Sequence, residues 1–143
     1  MNKLAVVYWS GTGNTEAMAS CIAEGAKEAG AEVTLMGPAE FSSSRFSEFS
    51  VIAFGCPAMG SEVLEEADFE PMFADLEGTL SGKKIALFGS YGWGDGQWMR
   101  DWCSRCDSAN AILFNEEGLI VKEAPDDAAQ EACRDLGRKL AAW

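Results

Sequence analysis

Leu4-Ala5-Val6-Val7-Tyr8-Trp9-Ser10-Gly11-Thr12-Gly13-Asn14-Thr15 decides the fold. Its first half is an apolar run that reads as a buried strand. Its second half is a short hydroxylated loop that opens into a helical pattern. Strand, small loop, then helix is how an α/β protein points backbone N–H groups at a phosphate. Ser10, Thr12, Asn14 and Thr15 can add side-chain donors, and the loop holds neither lysine nor arginine. It is suited to one phosphate group held by neutral donors and a helix N-terminus. A plain βα turn is the alternative, and it leaves that many donors without a use. A Walker A loop is excluded, because Gly82-Lys83-Lys84 precedes a strand rather than a helix. A dinucleotide fingerprint is excluded too: Gly11-Thr12-Gly13 runs into Asn14-Thr15-Glu16, which puts an acid where the third glycine belongs. A mononucleotide phosphate remains.

Outward from this stretch, apolar runs alternate with helical patterns, which predicts a parallel sheet covered on both faces. Strands are expected at Leu4–Trp9, Glu32–Met36, Val51–Gly55 and Lys84–Gly89, with an interrupted fifth over Ala111–Phe114 and Leu119–Lys122. The first helix is expected from Thr15 to Glu28, with Met18, Cys21, Ile22 and Ala26 on one face and Gly30 just beyond its end. A weak helix is read near Phe41–Phe46, where Ser42-Ser43-Ser44 works against it. Further helices are expected at Phe69–Leu76, Gln97–Ala109 and Asp126–Ala142. Trp98 and Trp102, spaced i,i+4, should face the core. Five strands and about five helices make a doubly wound α/β fold with helices on both faces. Right-handed crossovers in the order 2-1-3-4-5 place a switch point between strands 1 and 3, where ligands bind beyond the strands' carboxyl ends. Ser10–Thr15 and Cys56–Glu62 converge there.

A chain of 143 residues, 48% hydrophobic and 24% charged, fits one domain over residues 1–143. No apolar run approaches ~18 residues, so no membrane span is expected. The first residues lack the pattern of a signal peptide, and the five cysteines read as reduced thiols in a cytoplasmic protein. Without a single histidine, Ser-His and Cys-His nucleophile pairs and His-containing zinc sites are excluded. Cys103-Ser104-Arg105-Cys106 is a lone C-x-x-C within a helical stretch and reads as ordinary helix thiols; no metal is expected. Redox chemistry, if present, would belong to a bound cofactor. The net charge of −12 argues against nucleic acid. It fits either solubility alone or steering toward basic protein partners.

Three loops at strand C-termini carry a resemblance. After strand 1 comes Tyr8-Trp9-Ser10-Gly11-Thr12-Gly13-Asn14-Thr15-Glu16. After strand 3 comes Gly55-Cys56-Pro57-Ala58-Met59-Gly60. Strand 4 leads into Ala86-Leu87-Phe88-Gly89-Ser90-Tyr91-Gly92-Trp93-Gly94-Asp95-Gly96. In that order and spacing the chain resembles the flavodoxins, specifically the short-chain group of anaerobic bacteria, over nearly its whole length. The order 2-1-3-4-5 is itself the flavodoxin-like instance of the switch-point rule and so adds no independent support.

The resemblance implies non-covalent FMN. Ser10, Thr12, Gly13, Asn14 and Thr15 would hold its phosphate. Pro57 and Ala58 would run beside the ribityl chain, Met59 would cover one ring face and Trp93 would stack on the other. Glu62 would approach the N3 edge, Asp95 the pyrimidine edge, and Ser90, Tyr91, Gly92 and Gly94 would complete that loop. Ser61 stands where some relatives carry an acid. Trp9 and Cys56 read as packing residues beside the site, and Trp143 as structural. The implied protein is a low-potential one-electron carrier, not an enzyme, cycling mainly between flavin semiquinone and hydroquinone. It would be a monomer serving redox partner proteins with basic docking surfaces.

The Gly60–Ser61 peptide is the candidate to answer reduction, since glycine tolerates φ > 0 and the carbonyl could turn toward a protonated N5. One net hydrogen bond is worth ~1 kcal/mol, and ~1.4 kcal/mol corresponds to ~59 mV for one electron. The expected effect is therefore tens of millivolts. Glu62, Glu65, Glu66, Asp68 and Asp95 would surround the ring with no cation nearby and lower the second potential. The competing readings are a flavin or quinone reductase, for which no NAD(P)H motif is seen, and a flavin-free partner-binding domain, which the intact donors in Ser10–Thr15 oppose.

Overall fold

A computed structural model describes residues 2–143. The apolar run at the start of the chain forms β1 (Lys3–Tyr8), the second strand of a parallel sheet. It pairs with β2 (Glu32–Met36) on one side and β3 (Val51–Gly55) on the other. β3 pairs with β4 (Lys84–Tyr91), which carries both β5 (Ile112–Leu113) and β6 (Leu119–Lys122). The order is β2-β1-β3-β4-β5, as expected. Leu4 to Val7 and Val51 to Phe54 are buried throughout, which marks strands covered on both faces.

Alternation along each strand divides the core. Leu4, Val6 and Ala53 pack with Met18 and Ile22 of α1 (Asn14–Glu28) and Leu140 of α4 (Asp127–Ala141). Ala5, Val7 and Phe54 pack with Phe73 of α2 (Phe69–Leu76) and with Trp98 and Trp102 of α3 (Gln97–Ser108). The paired tryptophans are core residues, 2% and 1% exposed. α1 and α4 touch backbone to backbone. A side chain at Gly25 would collide with the Arg134 carbonyl, and one at Gly137 with the Ile22 carbonyl. Glu24–Arg134 and Glu28–Arg138 pairs flank the contact at 3.2 and 3.1 Å.

The structure departs from the expected elements in two places. Near Phe41–Phe46 there is no α-helix. Two short 3-10 turns, Pro38–Glu40 and Ser43–Glu48, occupy the segment. Ser42 and Ser44 hydroxyls bond each other at 2.8 Å, the kind of local bond that competes with a helix. Four α-helices therefore stand, among the described residues, where about five helices were expected. The fifth strand is interrupted as read, but its first half is only Ile112–Leu113. Ile112 and Leu113 pair with Lys84 and Ile85, whereas Leu119 resumes at Phe88. The intervening chain turns out through Glu116, at φ +60. A side chain at Gly118 would strike Met99, so glycine lets the chain return against α3.

Candidate functional site

β1, β3 and β4 end side by side, and the loops that follow them enclose a cleft of about 240 Å³. A cavity of about 220 Å³ lies elsewhere, beside Ala86 and Leu87 in the middle of β4. Only the first stands at the switch point, beyond the strand ends.

The first wall is the loop between β1 and α1, contributing Ser10, Thr12, Asn14 and Thr15. Ser10 Oγ accepts the N–H groups of Gly13 and Glu16, each at 3.2 Å. Those bonds order the loop and leave the Ser10 hydroxyl proton to donate outward. Gly13 is the N-cap of α1 at φ +97, a left-handed conformation that favours glycine. Thr15 is 1% exposed. Its Oγ1 accepts the Ser90 N–H at 3.3 Å and lies 3.1 Å from Ser90 Oγ, tying the start of α1 to the end of β4. Hydroxyls, an amide side chain and a helix N-terminus thus line this wall without a lysine or arginine.

The second wall brings in Pro57, Ala58 and Met59. Ala58 N–H donates to the Ser90 carbonyl at 3.0 Å, fastening this wall to β4. A tight hairpin follows, in which Met59 and Val63 exchange N–H···O bonds of 2.9 and 3.1 Å. Gly60, Ser61 and Glu62 make its turn, with Gly60 at φ +41 and Glu62 at φ +57. For glutamate that conformation is strained and must be held by its surroundings. The third wall is Ser90, Tyr91 and Gly92. Beyond it Trp93 stands 68% exposed between two glycines.

Ten of the anticipated residues thus line one cleft: Ser10, Thr12, Asn14, Thr15, Pro57, Ala58, Met59, Ser90, Tyr91 and Gly92. Gly13 shapes the loop, whereas Gly60, Ser61, Glu62, Trp93, Gly94 and Asp95 lie outside the cleft wall. Gly60 and Ser61 border a shallow surface with Glu66, and Glu62 edges a separate, half-open pocket.

Two expectations need correction. Asp95 is not remote from positive charge: Arg100 Nη2 reaches its carboxylate at 2.9 Å and Arg100 Nη1 its carbonyl at 3.0 Å. Glu65 is not part of an open acidic ring. It is buried and accepts the N–H groups of Ala67, Asp68 and Phe69, all at 2.8 Å. It therefore caps α2 from three residues upstream of the formal N-cap, Asp68, whose own side chain makes no cap bond. Burial pushes the Glu65 carboxyl up, but the three N–H donors outweigh burial and hold it below the usual carboxylate range. Trp9, read as a packing residue beside the site, packs against the core and borders the cleft.

Gly11 and Glu123 were missed as cleft residues. A Cβ at Gly11 would meet the Trp9 ring at 3.0 Å, so the Gly11-x-Gly13 spacing held that signal. Glu123 reaches the cleft because its N–H bonds the Tyr91 carbonyl at 2.7 Å with φ +59. Nothing local in the sequence announces that. Cys56, beneath the second wall, is a neutral packing group as read: burial pushes its thiol up to about 12. Among the described residues no group of three acid or thiol side chains could hold a metal ion.

A family model described as Flavodoxin matches residues 6–137. A curated flavodoxin of Clostridium beijerinckii is 46% identical over 138 residues, 96% of this chain and 99% of that one. A curated flavodoxin of Megasphaera elsdenii is 47% identical over 136 residues, covering 95% and 96% of the two chains. The solution structure of two-electron reduced Megasphaera elsdenii flavodoxin superposes with a TM-score of 0.89 at 46% identity, over 98% of this chain and 99% of that one.

Proposed function

The chain belongs to the flavodoxin family, which are FMN-binding electron carriers, and from that premise we propose that it is a low-potential one-electron carrier. When bound, FMN supplies the redox chemistry, cycling here mainly between semiquinone and hydroquinone. The observation that carries the reading is the neutral loop at the N-terminus of a 15-residue helix: Ser10 Oγ orders it by accepting the Gly13 and Glu16 N–H groups at 3.2 Å, which leaves the Ser10 hydroxyl proton and the Thr12 and Asn14 side chains as donors lining the cleft. That donor set fits a phosphate ester. In our assignment Ser10, Thr12, Gly13, Asn14 and Thr15 hold the phosphate, and Pro57 and Ala58 guide the chain to the ring. Met59 and Trp93 cover the ring's faces, Glu62 accepts at its N3 edge, and Asp95 lies by the pyrimidine edge. Trp9 joins the packing around the ribityl chain.

The Gly60–Ser61 peptide is the group we assign to answer the redox state, because Gly60 already occupies φ +41 without a side chain to resist rotation. With a net charge of −12 and an exposed Trp93, the docking partner we assign is a redox protein with a basic surface. The proposal extends to a single domain over residues 1–143, a cytoplasmic monomer and no independent substrate turnover. Fluorescence titration with FMN and riboflavin tests it. Two or more charge-assisted donors to phosphate make FMN bind at least ~100-fold tighter than riboflavin. Equal affinities contradict the assignment of the loop.

A further inference from the structure

Two buried side-chain atoms have no protein hydrogen-bond partner among the described residues: Glu62 Oε1 and Trp102 Nε1. Both residues edge one pocket of about 110 Å³, half open to solvent, whose walls include Trp98, Asp101 and Arg105. No residue of this cavity also lines the flavin cleft. Trp98, one turn earlier on α3, shows the ordinary solution, donating its Nε1–H to the Cys56 carbonyl at 3.1 Å. Trp102 is 1% exposed and has no such carbonyl. A buried donor or acceptor left unpaired is costly, and more so when it is charged.

The two atoms are of opposite kinds, an indole donor and a carboxylate acceptor. A cation could serve Glu62 but not the N–H, and an anion the reverse. Water satisfies both, and one water needs only ~10–15 Å³ with two or more polar partners. Arg105 does not reach across instead, because it is held from two sides. It pairs with Glu70 at 2.7 and 2.8 Å and with Glu77 at 3.1 and 2.6 Å. Gly94 closes over the carboxylate, since any side chain there would strike Glu62 Oε1.

We infer that ordered water in this cavity bridges Trp102 Nε1–H to Glu62 Oε1, which makes Trp102 a positioning residue for the Glu62 carboxylate. The inference rests on the assignment of Glu62 to the ring edge. One oxygen anchored from behind limits rotation of a side chain whose backbone is already confined to φ +57, so the carboxylate meets its ligand pre-oriented.

The test uses the FMN-loaded full-length protein. Trp102→Phe keeps a ring and deletes the donor, and should weaken FMN and riboflavin equally, by about fivefold. In a Glu62→Ala background the same change should alter affinity less than about twofold. Equal losses in both backgrounds overturn the inference, since Trp102 would then act by packing alone. A loss confined to FMN also overturns it, since the effect would run through the phosphate. A wild-type NMR measurement holds even if the Phe variant misfolds: the Trp102 indole N–H should show cross-relaxation with a long-lived water, and its absence overturns the bridge. Should the wild type bind neither flavin, the FMN reading fails, while the indole–water signal still decides the bridge.

Discussion

The Ser10–Thr15 loop and the Met59–Val63 hairpin follow neighbouring strands, yet they are built on opposite plans. The first spends its side chains on its own backbone: Ser10 orders two N–H groups, and Thr15 locks onto Ser90. The second is closed by two bonds at its base, and its turn has left-handed residues at Gly60 and Glu62. A loop tied down by its own hydroxyls thus stands beside a turn fastened only at its base. On the proposed function, gripping the cofactor and answering its redox state fall to these separate segments of backbone.

The largest expected effect breaks the first plan. Thr12→Asp places a like charge in a loop that has no cation, and should weaken FMN by at least ~100-fold while riboflavin loses much less. Isothermal titration with both ligands checks this, and parallel losses would mean the phosphate lies elsewhere. Gly94→Ala attacks the second region. At φ +89 a side chain is strained, and it also meets Glu62 Oε1. A cost of ~1–3 kcal/mol is expected, about tenfold or more in affinity, equal for both flavins.

Glu65 fixes the chain just beyond the hairpin, so Glu65→Ala should lower stability by ~1–2 kcal/mol in urea denaturation. The sign with pH follows from a folded carboxyl held below its ordinary value of 4.5. Stabilisation is full above the unfolded value and is lost as pH falls through the lower folded one. The gap between wild type and variant should therefore close in acid, and a gap that widens there contradicts the cap. Trp93→Ala removes an exposed ring and should weaken FMN by ~1 kcal/mol, about fivefold, read by fluorescence titration. Gly60→Val, the smallest effect, should lower the first reduction potential by tens of millivolts without a comparable change in the second.

The sequence made the sheet legible because its strands are unbroken apolar runs, and Phe69–Leu76 could be read to the residue because its apolar spacing is helical. What stayed hidden depends on distance in space. Glu65 read as one of the acids around the ring because a cap three residues before the formal N-cap leaves no standard spacing. Arg100 gave no sign of Asp95 until a turn brought the two together. The cleft's neutral donors were visible because they are contiguous. The cavity that joins Glu62 to Trp102 was not, since it is assembled from a hairpin and a helix about forty residues apart.

Stepwise reduction of the FMN-loaded protein, followed by visible absorbance, tests electron carriage most directly. The expected result is a long-wavelength band of the neutral flavin radical that rises to a maximum after one electron and then decays. Conversion of the oxidised spectrum straight to the fully reduced one, through a single isosbestic set and with no radical band, would contradict it.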